Sequence, residues 1–298
     1  VTGLDGIFTL TELIEATVEV NPESATPEFY RLARAAGINR VSVGVQSLSG
    51  AELGSVGRIH TSAQAISALV NAKQAGFAEI SADVIVGLPG QDWGTLYKTL
   101  DVLVKSDINH LSLYCLSIEE GTPLAENVPQ NLPSDDMQSE LFERSCELLA
   151  KAGFWHYEIS NFARSGHECN HNLNYWRGGE YLGLGVAAAS HINGWRFKNR
   201  SDLCTYLKDP AGQITEIEDL DAEAKACEEA MLRLRLVGEG LDINELSKKF
   251  EGDNTKKLEL RLKRLSCEGL LISENSRYRL APSKVLVSNP ILARVIGD

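Results

Sequence analysis

Long apolar runs are missing from this sequence. No stretch approaches the ~20 residues that a membrane-spanning helix needs, although 43% of the residues are hydrophobic. The first residues, Val1–Gly6, have neither a basic start nor an apolar core, so we expect no signal peptide and a cytoplasmic protein. A chain of 298 residues has room for one large domain and one small one.

Clustered cysteines and excess positive charge are also missing. The six cysteines stand at least 23 positions apart, so no C-x2-C metal clip is present and we expect reduced, mostly buried thiols. The formal net charge is −12, and residues 219–298 hold 14 basic and 14 acidic residues. The negative charge therefore falls on residues 1–218, which argues against broad nucleic-acid binding there.

What the sequence does contain is a repeated strand-then-helix pattern in its first half. Alternation of this kind is typical of right-handed βαβ crossovers and a parallel sheet, so we predict an α/β fold. The predicted strands are Thr17–Val20, Arg40–Val45, Glu79–Val86 and His110–Leu116. The predicted helices are Thr9–Ala16, a helix from Pro27 to just before Gly37, Ser62–Ala75, Trp93–Lys105 and Ser134–Ala152.

Polar side chains stand at or near the predicted strand ends, where parallel sheets place their working residues. They are Glu19, Gln46 and Asp83. A carboxylate buried in a sheet is costly unless it is paired or used, so Asp83 either serves a site or caps a neighbouring element. Arg58 and His60 lie in the predicted loop before the helix Ser62–Ala75, where a basic side chain is more often simply exposed to solvent.

The densest group of coordinating and stacking residues is Gly166–Trp176. The spacing of His167, Cys169 and His171 is not a usual zinc pattern, so an ordinary structured loop is favoured over zinc. A heme needs an axial ligand and apolar or aromatic walls, which His171, Tyr175 and Trp176 would supply. Strands are predicted on both sides, at His156–Ser160 and Tyr181–Gly194.

The pattern changes from Asp219 onwards, where three helices and a hairpin give the outline of a winged helix. The third helix carries several basic residues, which is compatible with DNA binding. A solvated face is the favoured interpretation, because this segment is charge-neutral. The predicted elements are Asp219–Val237, Ile243–Phe250, Thr255–Cys267, the hairpin Leu270–Ser273 with Arg277–Leu280, and a last helix near Lys284–Val295.

Several motifs together resemble the oxygen-independent coproporphyrinogen III oxidase group of radical SAM proteins. His171–Trp176 matches the H-N-x-x-Y-W motif of its HemW branch, the heme chaperones. The other motifs, in the same order along nearly the whole chain, are Glu19–Pro22, Asn39–Ser47, Gly57–His60, Asp83–Gln91, Ile118–Pro123 and Met231–Arg235.

This resemblance implies that Glu19, Gln46, Arg58 and Asp83 contact S-adenosylmethionine. It also implies heme binding and transfer to a heme-accepting protein that is respiratory and membrane-associated. The protein itself would be a homodimer that binds no nucleic acid. The residues implied at the heme are His171, also as a candidate iron ligand, Asn172, Tyr175 and Trp176. The alternatives are a radical SAM oxidative decarboxylase of coproporphyrinogen III and a winged-helix nucleic-acid-binding module.

The sequence departs from the family at the cluster site. The C-x3-C-x2-C loop that holds a [4Fe–4S] cluster is absent, and so is the G-G-G-T-P loop. We therefore expect a partial (β/α)6-type barrel that lacks its first strands, no radical chemistry from this chain as given, and a fragment of a longer protein. The expected segments are a partial barrel (1–126), a region with the heme motif that closes the barrel (127–218), and a winged-helix-like domain (219–298).

Overall fold

The computed structural model describes residues 13–210, 212 and 214–297. The chain folds into two compact units, divided in sequence between Cys169 and Asn170. This division lies inside the segment 127–218, which was expected to form a single region. The three-segment division stays a prediction, and the two units are described separately below.

The first unit is built on one mixed sheet with the strand order β1-β2-β3-β4-β6-β5. Strands β1 to β4 are parallel, as predicted, whereas β6 is antiparallel to both β4 and β5. A short turn joins β5 to β6, and such a turn permits only antiparallel pairing. The strands are β1 Thr17–Val20, β2 Arg40–Gln46, β3 Glu79–Val86, β4 His110–Cys115, β5 Trp155–Glu158 and β6 Asn161–Ala163.

The helices of this unit begin at the predicted caps. Thr26 accepts the Phe29 N–H, and Thr61 with Gln64 forms a complete capping box. Ser134 likewise accepts the Met137 N–H at the start of the longest of these helices. The helices are α1 Pro27–Ala35, α2 Gly50–Ser55, α3 Ser62–Gln74, α4 Trp93–Val104, α5 Pro123–Glu126 and α6 Asp135–Lys151.

The helix predicted at Thr9–Ala16 is wrong where it can be checked. Residues 9–12 lie outside the described residues, and residues 13–16 are not helical. The Asn39 side chain accepts the Ala16 N–H at 2.7 Å and donates to the Ile14 carbonyl at 3.1 Å. These hydrogen bonds hold an irregular segment that leads directly into β1.

The centre of the sheet is buried on both faces, as expected for strands covered by crossover helices. Strand β2 is buried at six of its seven positions. Apolar side chains that are fully excluded from solvent lie along the three central strands: Val41, Val43, Val45, Ala82, Val84, Leu111 and Leu113.

A buried ion-pair network lies where β2 and β3 begin. The Arg40 side chain is 4% exposed and pairs with Glu15 at 3.0 Å and Glu79 at 3.1 Å. It also donates to the backbone carbonyls of His167 and Glu168. One arginine therefore ties the segment after β6 to the amino ends of two central strands.

Replacing Arg40 with alanine should lower the free energy of unfolding by about 3–5 kcal/mol, because Glu15 is left buried without its cation. Urea unfolding followed by circular dichroism measures this change. Arg31→Ala is the matched control, since Arg31 pairs with Glu28 on an exposed helix surface. Equal unfolding midpoints for the two variants would show that the Arg40 network does not stabilise the unit.

The second unit opens with the helix α7 Asn170–Trp176, followed by an antiparallel sheet in the order β7-β8-β9. The single strand predicted at Tyr181–Gly194 is wrong, because only its last part is a strand and Tyr181 pairs with His191 through one isolated bridge. Between them the chain loops out, and Asn199 donates to the Gly183 and Gly185 carbonyls. The elements are β7 Ala189–Ile192, β8 Trp195–Asn199, α8 Leu203–Lys208 and β9 Ile214–Asp219.

The rest of this unit has the predicted winged-helix outline. Its three-stranded sheet has the order β10-β12-β11, and β10 is a two-residue strand too short to detect from sequence. The last helix begins later than predicted, because Pro282–Lys284 forms a 3-10 turn first. The elements are α9 Ala222–Arg233, β10 Leu241–Asp242, α10 Ile243–Lys249, α11 Lys256–Cys267, β11 Leu271–Glu274, β12 Arg277–Leu280 and α12 Ser288–Ile296.

Candidate functional site

The first unit brings together the four residues that the resemblance assigns to S-adenosylmethionine. Asp83 occupies the fifth of eight positions in β3, so it lies within the strand rather than at its end. The Ser42 hydroxyl on β2 donates to Asp83 Oδ1 at 2.9 Å. Glu19 on β1 is in register with Ser42 and acts electrostatically on Asp83, as does Arg58.

Asn21 and Gly44, which sequence reasoning did not single out, lie between these residues. Arg58 Nη1 donates to Asn21 Oδ1 at 2.9 Å. A Cβ atom on Gly44 would lie 3.0 Å from Gln46 Nε2 and 3.4 Å from Asn21 Oδ1. The absence of a side chain at Gly44 thus lets the amide groups of Gln46 and Asn21 lie close to the backbone of β2. Asn21 directly follows β1, so the same strand-end rule would have found it.

Gln46 itself has a strained backbone. Its φ is +62°, and the pairing of β2 with β3 shifts register between Val43 and Gln46. A positive φ is uncommon for a residue other than glycine, and such residues cluster at binding and catalytic sites. The bulge redirects the Gln46 amide toward Gly44, where its Nε2 atom is found.

The surroundings of Asp83 stabilise its protonated form relative to a carboxyl group in water. Burial raises the pKa of Asp83 to about 6, and repulsion from Glu19 adds to the increase. Hydrogen bonds from Ser112 and Ser42 and the charge of Arg58 act in the opposite direction. Burial likewise raises the pKa of Tyr114 to about 12, so its hydroxyl stays protonated.

Asp83→Asn should change how stability depends on pH. The folded-state pKa is raised, so burial of this carboxyl is tolerated below about pH 4 and becomes destabilising as pH rises to about 6. The free energy of unfolding of the variant, relative to wild type, should therefore rise by about 1–3 kcal/mol over this range and stay level above it. Urea unfolding between pH 4 and 7 measures this difference, with the exposed Asp107→Asn as control. A pH-independent difference would contradict the assignment.

Beside this cluster is an open cavity of about 630 Å³ within the first unit. It is lined by Arg58 and by the segment Thr122–Asn127, which includes the end of the Ile118–Pro123 motif. The cavity is large enough for a small organic ligand. Two motifs that are far apart in sequence, Gly57–His60 and Ile118–Pro123, therefore meet at one cavity.

His60 and His110 have structural surroundings. His60 Nε2 lies 3.1 Å from the Val45 carbonyl, and the ring is buried. The ring nitrogens of His110 lie 2.7 Å from the Ser81 hydroxyl and 2.8 Å from the Tyr157 hydroxyl. Burial lowers the pKa of His110 to about 3, so this histidine stays neutral.

In the second unit, the heme motif forms the helix α7 rather than a loop. Helical spacing places His171 and Tyr175 on one face, with ring centroids 4.8 Å apart. Tyr175 in turn lies 4.4 Å from Tyr181. The Arg235 guanidinium lies 5.3 Å from the Trp176 ring centroid, and the Trp176 indole N–H is buried without a hydrogen-bond partner.

A cavity of about 150 Å³ lies against this helix. Asn172, Tyr175 and Trp176 line it, as the motif predicts, and Tyr181 and His191 complete the aromatic part of the wall. Sequence reasoning missed the last two residues, because it placed both in one continuous strand. The histidine in this lining is His191.

The cysteines do not fit an iron–sulfur cluster. Within the described ranges, no three His, Cys, Asp or Glu side chains are close enough to hold a metal ion. Burial raises the pKa of Cys115 to about 11 and of Cys146 to about 12, which disfavours the thiolates that such a cluster needs. The Cys169 thiol donates to Glu15, and His167 lies 2.9 Å from Glu79.

The basic helix α11 is neutralised by its neighbours. Arg261 donates to the Ile296 carbonyl near the end of α12. The other four cations form ion pairs: Lys256 with Asp253, Lys257 with Glu223, Lys263 with Glu259, and Arg264 with Glu268.

In the described part of the chain, no helix is both long enough and apolar enough to cross a membrane.

Comparison with known proteins now assigns the family. The model of the Radical SAM superfamily matches residues 4–103. The heme chaperone HemW of Lactococcus lactis subsp. lactis (strain IL1403) is 31% identical over 293 residues, which cover 97% of this chain and 77% of that protein. The chain belongs to the HemW family of radical SAM proteins. The resemblance found in the motifs is thereby confirmed.

A second relative and a solved structure agree with this family. The heme chaperone HemW of Mycobacterium tuberculosis (strain CDC 1551 / Oshkosh) is 37% identical over 235 residues, which cover 77% of this chain and 60% of that protein. The chain thus spans less than two thirds of that relative. Coproporphyrinogen III oxidase (HemN) from Escherichia coli, a radical SAM enzyme, matches 95% of this chain and 70% of its own with a TM-score of 0.81. At 19% identity this match establishes the fold, and the predicted α/β radical SAM fold is confirmed.

Proposed function

We propose that this protein binds heme and transfers it to an acceptor, on a radical SAM scaffold. The observation that carries the proposal is the cavity at α7, because three of the four residues implied by the H-N-x-x-Y-W motif line it. Two relatives that bear the name heme chaperone support it. Heme is the cargo in this proposal, and the acceptor is a respiratory, membrane-associated protein. The homodimer is likewise a proposal.

The cavity residues fit a heme in their chemistry. Tyr175, Tyr181 and Trp176 offer aromatic walls to a flat, largely apolar macrocycle. The buried indole N–H of Trp176 lacks an acceptor, which costs about 1–3 kcal/mol when no ligand is bound. A ligand that carries carboxylates would provide that acceptor. The cavity is smaller than a porphyrin, so heme would be held by part of its face.

Trp176→Ala should weaken hemin binding about tenfold or more, because the variant loses one aromatic wall and its indole donor. Titration with hemin, followed by the Soret band, measures the affinity. Trp195→Ala is the matched control, since Trp195 belongs to the same unit, is 46% exposed and lies outside the cavity wall. His171→Ala should also weaken binding, because His171 contacts Tyr175.

A wild-type chain that shows no Soret shift on hemin addition would overturn the proposed function. Equal weakening by Trp176→Ala and Trp195→Ala would place the heme elsewhere in the second unit. Circular dichroism of each variant separates loss of binding from loss of fold.

We propose further that the cluster around Gly44 binds S-adenosylmethionine. Glu19 and Asp83 would accept hydrogen bonds from the ribose hydroxyls or the amino group. Arg58 would pair with the methionine carboxylate, and Gln46 would offer both a donor and an acceptor. The gathering of these four side chains in one place supports the assignment.

Gly44→Ala tests this site through the two amide groups that border it. The added methyl group would press against the Gln46 and Asn21 side chains and displace them, so binding of S-adenosylmethionine should weaken about tenfold or more. Isothermal titration calorimetry measures the affinity. Gly54→Ala is the control, because a Cβ atom there meets nothing within 4 Å. Unchanged affinity in Gly44→Ala would show that the region around Gly44 does not contact the ligand.

A further inference from the structure

His191 occupies a position that the sequence motif does not describe. It lies on β7 and lines the α7 cavity together with Asn172, Tyr175 and Trp176. It also lines a second cavity, of about 280 Å³, that shares Gly178, Arg196 and Leu232 with the first. The imidazole of His191 therefore stands at the boundary between two adjoining spaces and is open to both.

The backbone contact of His191 fixes the tautomer of its neutral ring. Nδ1 lies 3.1 Å from the Gly179 carbonyl oxygen. A carbonyl only accepts hydrogen bonds, so Nδ1 carries a hydrogen, and in the neutral imidazole the lone pair is on Nε2. No described residue forms a hydrogen bond with Nε2. Metal-binding histidines usually donate one ring N–H to a backbone carbonyl or carboxylate and bind the metal through the other nitrogen. His191 has the first of these two contacts.

The surroundings hold this ring in place. The backbones of Tyr181 and His191 exchange two hydrogen bonds of 2.9 Å, and their ring centroids are 6.1 Å apart. The Gly179 carbonyl directly follows the turn in which Gly178 N–H donates to Tyr175 and Gly179 N–H donates to Asn174. The carbonyl that orients His191 is therefore positioned by the end of α7 itself.

Polar groups for the rim of a heme are present in the same place. Arg196 lines both cavities, and its Nε atom is buried without a hydrogen-bond partner although the guanidinium pairs with Glu228. A carboxylate reaching this point would meet an unused N–H donor. The unpartnered indole N–H of Trp176 offers a second donor in the α7 cavity wall.

We propose that His191, through Nε2, is the axial iron ligand for heme bound at the α7 cavity. This inference rests on the proposed function. His171 stands at the opposite end of a row of rings, His171–Tyr175–Tyr181–His191, with successive centroids 4.8, 4.4 and 6.1 Å apart. In this arrangement His171 supports the aromatic wall, and His191 contacts the iron.

The test replaces each histidine with asparagine and reads the iron ligation directly. His191→Asn keeps a side-chain N–H near the position of Nδ1 but removes Nε2, and His171→Asn is its matched control. Hemin is added to each full chain, and the ligand-field bands and electron paramagnetic resonance spectrum are recorded. His191→Asn should lose the imidazole signature and bind hemin about tenfold or more weakly, whereas His171→Asn should keep the signature. His191→Gly with added imidazole should regain it.

Three results overturn this assignment. A His191→Asn protein that is folded and keeps the wild-type spectrum removes His191 as the ligand. A His171→Asn protein that loses the signature assigns the iron to His171 instead. A wild-type chain that binds no hemin overturns the proposed function and the ligand assignment together, so the failure of each is distinguishable. Unfolding of His191→Asn is recognised by circular dichroism, and the imidazole restoration of His191→Gly then decides.

Discussion

The first unit depends on how charge is compensated at two places along the parallel strands of its sheet. Where β2 and β3 begin, Arg40 is buried between two carboxylates and two backbone carbonyls. Arg40 Nε and Nη2 make these contacts, while Nη1 is buried without a hydrogen-bond partner, and the network holds the segment that returns after β6. Burial of the arginine is tolerated because its charge is paired with two carboxylates.

Further along the same strands the compensation is incomplete. Burial raises the pKa of the Asp83 carboxyl to about 6 and the charge of Glu19 adds to the increase, while the neighbouring hydroxyls and the Arg58 cation offset it only in part. Gln46 adopts a left-handed backbone conformation, and its amide lies close to the backbone at Gly44, where a larger residue would be crowded. Backbone strain and an unbalanced buried carboxyl in one place are features of a binding site rather than of a core.

The second unit keeps a cavity open between aromatic side chains. Helix α7 orients Tyr175 and Trp176 from one side, and the bridge between Tyr181 and His191 closes the other. The wall is assembled from two segments, and only the first is visible as a motif. This explains why His171 was prominent in the sequence while His191 was not.

The sequence predicts the local structure of the first unit well from β1 onward, because strands and helices alternate along the chain and the helices carry their own caps. Spacing brings out Glu19, Gln46 and Asp83 as candidates, whereas Arg58 enters the site through the family resemblance. The strand-end rule would also have found Asn21, but Gly44 could not be predicted as a member of the site, because its role arises from its close approach to the Gln46 side chain. Nor does the sequence predict the loop between Tyr181 and His191, where small residues alternate as they would in a strand.

The loop between Tyr181 and His191 has one face that contacts the rest of the second unit and one that is exposed to solvent. Asn199 and the Tyr206 hydroxyl bind its backbone, and a side chain at Gly183 would collide with the Ala189 carbonyl. The alternate positions Leu182, Leu184 and Val186 point outward and are exposed. Gly183 and Gly185 are therefore constrained by packing and hydrogen bonds, whereas the side chains of Leu182, Leu184 and Val186 are not. A fluorophore attached at Leu184 would sit close in sequence to the cavity-lining Tyr181 without disturbing the backbone, which makes this loop a natural place to build an optical reporter of cargo.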